Sequence, residues 1–135
     1  MSFLSKLFGS NSDSKKNVPK QEIQLTDEEK GLIETSITEL NAQLDSAVSD
    51  DEKADILNNL GIQNQKIGNN DEAIKNFEES LKIKEAFGPA FDGLTKLYNE
   101  KRKEAAFNKD DAQIQYWVKK TDDLLAQSKK IMRSR

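Results

Sequence analysis

The chain has 135 residues, with 24 acidic and 21 basic side chains, a formal net charge of −3, and neither cysteine nor histidine. Disulfides, thiolate nucleophiles, cysteine metal sites and imidazole general bases are therefore excluded. Only 35% of the residues are hydrophobic, but they recur at helical spacing, which predicts an ordered and highly solvated helical protein. No run of about 18 apolar residues occurs, so no membrane-spanning helix is predicted.

A short amphipathic segment, MSFLSKLFG, occupies residues 1–9. Its apolar side chains share one helical face, and a helix this short is expected to order only on contact with a membrane surface or with a groove on another protein. A disordered tail is the remaining interpretation. The candidate contact residues are Phe3, Leu4, Lys6, Leu7 and Phe8. Residues 10–25 are polar, contain Pro19 and lack periodicity, so we expect a flexible linker there.

The helical body is predicted to span residues 26–135. It begins with a capping box, because Thr26 is followed three residues later by Glu29. An apolar stripe then runs to about residue 48 and defines the first helix. Five helices of this kind are joined by short turns, so sequential neighbours are expected to pack antiparallel.

The second helix is expected to begin at Ser49 or Asp50 and to end at Gly68, which suits a left-handed cap. Gly61 lies in its interior, where glycine costs about 1 kcal/mol relative to alanine. The close approach of a neighbouring helix would compensate for that cost. The third helix is expected to begin at Asn69 or Asn70 and to end in the sequence Phe87-Gly88-Pro89.

The fourth helix is predicted to begin with Pro89, whose missing amide does no harm in a first turn. Asn108 or Asp110 is expected to cap the fifth helix, which carries a long apolar stripe with Trp117 in the core. If this helix runs past the body, its last apolar residues are exposed and favour self-association. The residues concerned are Leu124, Leu125, Ile131 and Met132.

The second and third helices resemble a tetratricopeptide repeat (TPR), a helix-turn-helix unit of 34 residues. With Ala54 as the first position, the matching residues are Leu57, Leu60, Gly61, Ala73, Phe77 and Ser80. Asn64 and Glu85 depart from the family pattern. A degenerate second repeat begins at Gly88, where Thr95 replaces the glycine of the family; its matches are Phe91, Leu94 and Tyr98.

The resemblance covers about half of the chain. It implies an all-α fold, a TPR-like α-solenoid of about five helices with a long C-terminal helix. A generic antiparallel helical bundle is the alternative interpretation.

The resemblance also implies a non-enzymatic adaptor or scaffold, without metal or cofactor, that binds a peptide or helix of another protein on a concave face. The residues carried over to that face are Asp55, Asn58, Ile62, Gln65, Asp92, Lys96 and Asn99. An ordinary solvated helix face is the plainer interpretation of these side chains. We expect a cytoplasmic protein, held by residues 1–9 at the inner face of the cell membrane.

Two other functions stay open: a chaperone for an exported client, and a nucleic-acid regulator that uses the basic ends. Residues 127–135 carry four basic side chains and no acid. The segment between the ends is strongly acidic and repels phosphates, which makes nucleic acid the less favoured partner.

Overall fold

The computed structural model describes residues 24–134, which form five α-helices. These are α1 Asp27–Ser46, α2 Asp50–Lys66, α3 Asn70–Ile83, α4 Pro89–Phe107 and α5 Asp111–Arg133. No strand occurs among the described residues, so the predicted all-α class is confirmed for that part of the chain. The predicted long C-terminal helix is α5, with 23 residues. The predictions for residues 1–9 and for most of the linker lie outside the described residues.

Local hydrogen bonds start α1, α2 and α5 where the sequence predicts, whereas the predicted side-chain cap of α3 is absent. The Thr26 hydroxyl accepts from the Glu29 amide and a Glu29 carboxylate oxygen accepts from the Thr26 amide, both at 3.0 Å, which completes the capping box. Ser49 caps α2 and Asp110 caps α5, each by accepting a hydrogen bond from the backbone amide three residues further on. Pro89 lies in the first turn of α4, as predicted.

The end of α3 differs from the prediction. This helix ends at Ile83 rather than at Phe87, because Lys84 already has an extended backbone with φ of −142° and ψ of 104°. The amide of Lys84 still donates to the carbonyl oxygen of Ser80, at 2.9 Å, and so completes the last turn. Residues 84–88 therefore form the connection to α4.

The helices pack in sequence order, each against the next, and α2 also contacts α4. The turn between α2 and α3 closes at Gly68, whose φ of +81° is the left-handed conformation that the sequence predicts. Since α3 also contacts both α2 and α4, three central helices meet in the middle of the body. No helix within residues 24–134 combines the length and apolar character needed to cross a bilayer.

The core consists of two clusters of buried side chains. The larger joins α3, α4 and α5, and its members are Ala73, Ile74, Phe77, Leu81, Ala90, Phe91, Leu94, Leu97, Tyr98, Leu124 and Ile131. The smaller comprises Ile56, Leu57 and Leu60 of α2, covered chiefly by partly buried Ile37, Leu40 and Leu44 of α1. No residue of α1 is itself buried, and Leu32 in its predicted apolar stripe stays 68% exposed.

The last helix does not run past the body. Leu124 and Ile131 lie in the larger cluster and are buried, so the expectation that they are exposed is wrong. Together with Trp117, which also packs against that cluster, they recur every seven residues on the inner side of α5. Leu125 and Met132 are 56% and 59% exposed, as expected.

Candidate functional site

Phe77 of α3 sets the separation of the three central helices. Its ring is fully buried between Gly61 of α2 and Gly93 of α4. A Cβ atom built on either glycine would lie 2.4 Å from a ring carbon, Cε1 on the Gly61 side and Cε2 on the Gly93 side. Both helix backbones therefore lie directly against the two edges of one ring. The close approach predicted from Gly61 is confirmed, and we call this arrangement the Phe77 clamp.

Gly93 is the residue that the repeat alignment missed. The alignment placed the glycine position of α4 at Thr95, but Thr95 is exposed and its hydroxyl donates to the carbonyl oxygen of Phe91, at 2.8 Å. Gly93 carries the same signal as Gly61, an unfavourable glycine inside a predicted helix. Applying the same energetic argument to both glycines would have found it.

Polar side chains fix the register of α2 against α3. The Asn64 side-chain amide donates to Oδ1 of Asn76, at 2.9 Å. The buried Ser80 hydroxyl lies 2.7 Å from Oδ1 of Asn58 and 3.1 Å from the carbonyl oxygen of Ala54. Because hydrogen bonds are directional, these contacts hold the two helices in one alignment, whereas apolar packing alone tolerates more sliding.

The structure places the residues carried over from the repeat family on two adjacent helices. Asp55, Asn58, Ile62 and Gln65 belong to α2, and Asp92, Lys96 and Asn99 belong to α4. All three α4 residues are exposed, and at helical spacing they fall on the side opposite the buried stripe of α4. We call this combined surface the α2–α4 face.

Some of these side chains also have structural contacts. Asn58 is half-buried against Ser80, and Ile62 packs against the larger core cluster. Asn99 accepts a hydrogen bond from the Arg102 guanidinium, at 2.8 Å. The α2–α4 face therefore combines side chains that are held in place with side chains that project into solvent.

A small cavity of about 160 Å³ opens beside the α2–α4 face. Asp55 and Asn58 line it from α2, Ser80 and Lys84 line it from α3 and its end, and residues 86–90 close it. The cavity brings a carboxylate, an amide and an ammonium group close to an apolar turn.

A larger cleft of about 600 Å³ lies between α3 and α5. Leu81, Leu94 and Leu124 of the larger core cluster contribute to its apolar lining. The ammonium group of Lys130 lies 3.5 Å from a carboxylate oxygen of Glu85 and bridges the two sides. The sequence did not predict this cleft, because its two sides lie about 40 residues apart in the chain and come together only when α3 and α5 both pack against α4.

Glu78, in the same cleft, joins three helices. Its carboxylate accepts a hydrogen bond from the Tyr98 hydroxyl of α4 and lies 2.7 Å from the Lys120 ammonium of α5. The Lys120 ammonium also lies 5.4 Å from the centre of the Tyr98 ring. Burial raises the pKa of Tyr98 well above its usual value, and the hydrogen bond and negative charge of Glu78 raise it further. The phenol is therefore protonated throughout the neutral range.

No group of three or more acidic side chains close enough to hold a metal ion occurs within residues 24–134. No protein-family model, curated protein or solved structure matches this chain.

Proposed function

We propose that this protein is a non-enzymatic adaptor that binds a peptide or helix of another protein across the α2–α4 face. The observation that carries the proposal is the Phe77 clamp, which holds α2 and α4 side by side through Gly61 and Gly93. A surface that is rigid before binding loses little conformational entropy when a partner binds, so modest contacts give useful affinity.

A TPR-like arrangement agrees with this assignment. In it, α2 with α3 and α4 with α5 are two successive helix pairs, the first helices of the pairs line the binding face, and α1 caps the stack. The contact of α2 with α4 and the contact of each helix with the next support this arrangement.

The chemistry of the α2–α4 face favours a polar partner. Asp55 and Asp92 offer carboxylates, Lys96 offers an ammonium group, and Asn99 offers an amide, all on exposed helix surface. Charges at the rim of an interface mainly set specificity and association rate. We therefore expect a partner segment of mixed charge, whose association slows as salt is raised.

Residues 1–9 would hold the adaptor at the inner face of the membrane. Two phenylalanines and two leucines on one side of a short segment give a weak and reversible contact with lipid. A flexible linker over residues 10–25 would keep the body at an average distance of roughly 20 Å from that contact and so raise its effective concentration near membrane proteins.

Site-specific crosslinking tests the binding face, because the chain has no cysteine of its own. Full-length protein with Asp55→Cys or Asn99→Cys, coupled to a photo-activated crosslinker, should capture the same partner in native cells. Glu79→Cys provides the matched control, since Glu79 is an exposed helical residue on α3. Capture at equal yield from Glu79→Cys, or no capture from either position on the α2–α4 face, would refute the assignment.

A further inference from the structure

The outer side of α5 carries a second apolar stripe that no other helix covers within residues 24–134. Val118, Leu125 and Met132 are 36%, 56% and 59% exposed. They recur every seven residues, one position after the series that packs against the larger core cluster, which consists of partly buried Trp117 and buried Leu124 and Ile131. Thus α5 packs one stripe against the body and presents another to solvent.

The outer stripe has the spacing of a coiled-coil seam. Ile114, Thr121 and Ser128 are half-buried and alternate with the three exposed residues at intervals of four and three. In heptad terms Val118, Leu125 and Met132 occupy the a positions, and the alternating residues occupy the d positions. A seam of this period is normally completed by a second helix that lies along it.

We propose that α5 helices of two copies of this protein pack antiparallel about a two-fold axis at Leu125. The axis brings the Leu125 side chains of the two copies together and places Val118 of each copy against Met132 of the other. Such a contact is isologous, so it closes with two subunits and leaves no open end for further assembly.

Charge complementarity selects the antiparallel direction. Asp122 and Lys129 occupy e positions, and neither forms an ion pair with any residue in the described part of the chain. Antiparallel helices bring e positions of the two copies together, and the axis at Leu125 sets Asp122 of each copy opposite Lys129 of the other. A parallel pair would instead place them beside g positions, which here are Trp117, Leu124 and Ile131, apolar residues packed against the body.

The seam of the proposed dimer is short. From Ile114 to Met132 it spans about 27 Å of helix. Small interfaces are typical of weak and transient complexes, so we expect a reversible dimer with a Kd in the micromolar range. This inference is independent of the α2–α4 face, which takes no part in the contact.

The molar mass of the full-length protein should therefore rise from monomer towards dimer as its concentration is raised through the micromolar range, measured by sedimentation velocity. Leu125→Lys should abolish the rise, because it brings two ammonium groups together at the axis. Ala126→Lys adds the same charge at the next exposed position, outside the seam, and should leave the dimer intact. Circular dichroism checks that both variants remain helical. A monomer at every concentration, or equal effects of the two variants, would overturn the inference.

Cysteine crosslinking tests the register. Leu125→Cys should form a disulfide-linked dimer with itself under mild oxidation. Val118→Cys should not, because the axis separates the two copies of that position by about 21 Å along the helices, far beyond disulfide reach. Val118→Cys mixed with Met132→Cys should crosslink. Self-crosslinking of Val118→Cys would indicate parallel helices and would refute the proposed geometry.

A charge exchange tests the ion pairs. Asp122→Lys should weaken the dimer by about tenfold, because it replaces two attractions with two repulsions. Combining it with Lys129→Asp should restore the original affinity. Glu100→Lys, the same acid-to-base change at an exposed position of α4, serves as the control and should have no effect. A double variant as weak as the single one would contradict the register.

Discussion

Replacing Gly61 with alanine should destabilise the protein, although alanine is the better helix former. The added Cβ would lie 2.4, 2.6 and 2.7 Å from three carbons of the Phe77 ring, distances at which something must move. The ring cannot retreat, because the backbone at Gly93 bounds its opposite edge just as closely. The substitution must therefore push α2 away from α3 and α4.

Two opposing effects set the size of the loss. Alanine gains up to about 1 kcal/mol over glycine within a helix. Overpacking of a filled core typically costs about 1 to 3 kcal/mol, and a clamped ring puts this site at the upper end of that range. We therefore expect a net loss of about 2 kcal/mol in the free energy of unfolding, which lowers the midpoint of urea denaturation by about 1 M.

The matched control is Gly31→Ala. Gly31 also lies inside a helix, but an added Cβ meets no atom within 4 Å. This variant should gain about 0.5 to 1 kcal/mol, so the two glycine substitutions should have opposite signs in urea unfolding followed by circular dichroism. A double-mutant cycle with Phe77→Leu should show coupling, because a smaller side chain relieves the overlap. If Gly61→Ala proves as stable as Gly31→Ala, the ring does not hold the helices in the way described.

Two further predictions concern Tyr98 and the N-terminal segment. The pKa of Tyr98 is higher in the folded protein than in the unfolded chain. Above about pH 10 the unfolded chain therefore loses the phenol proton while the folded protein keeps it, and the free energy of unfolding falls as the pH rises. Below that pH both states are protonated and the contribution of Tyr98 to stability is complete. Tyr98→Phe should flatten the decline of stability above pH 10 in urea titrations, and an unchanged slope would disprove this origin. Phe3→Asp with Phe8→Asp should release the full-length protein from anionic vesicles in flotation assays, whereas the equally charged control Ser10→Asp with Ser12→Asp should still float. Equal flotation of the two variants would rule out membrane contact through the apolar face.

The features that the sequence predicted correctly depend on neighbouring residues. Thr26 caps α1 because Glu29 follows it at the right distance, and Gly68 ends α2 because a left-handed turn favours glycine. Pro89 starts α4 because its fixed φ suits a first turn. Each of these signals acts within a few residues, so the structure of the rest of the chain is not needed to interpret it.

The features that the sequence missed depend on which helices become neighbours. Leu124 and Ile131 belong to the same apolar stripe as Leu125, and only the position of α4 decides which of them become buried. The role of Gly93 likewise appears only when Phe77 of α3 is placed against α4. Helical period identifies an apolar face, but it does not identify the surface that covers it.

The separation of the core into two clusters makes the stability of this fold uneven along the chain. No residue of α1 is buried, and α1 contacts no helix except α2 in the described structure. Local unfolding of α1 would therefore expose Ile56, Leu57 and Leu60 without disturbing the Phe77 clamp. Backbone amides of α1 should therefore exchange with solvent through a local opening of low free energy. Backbone amides around Phe77 should exchange only when the whole body unfolds. Substitutions in the first helix change how often one edge of the protein opens, and substitutions at the centre change whether the protein folds.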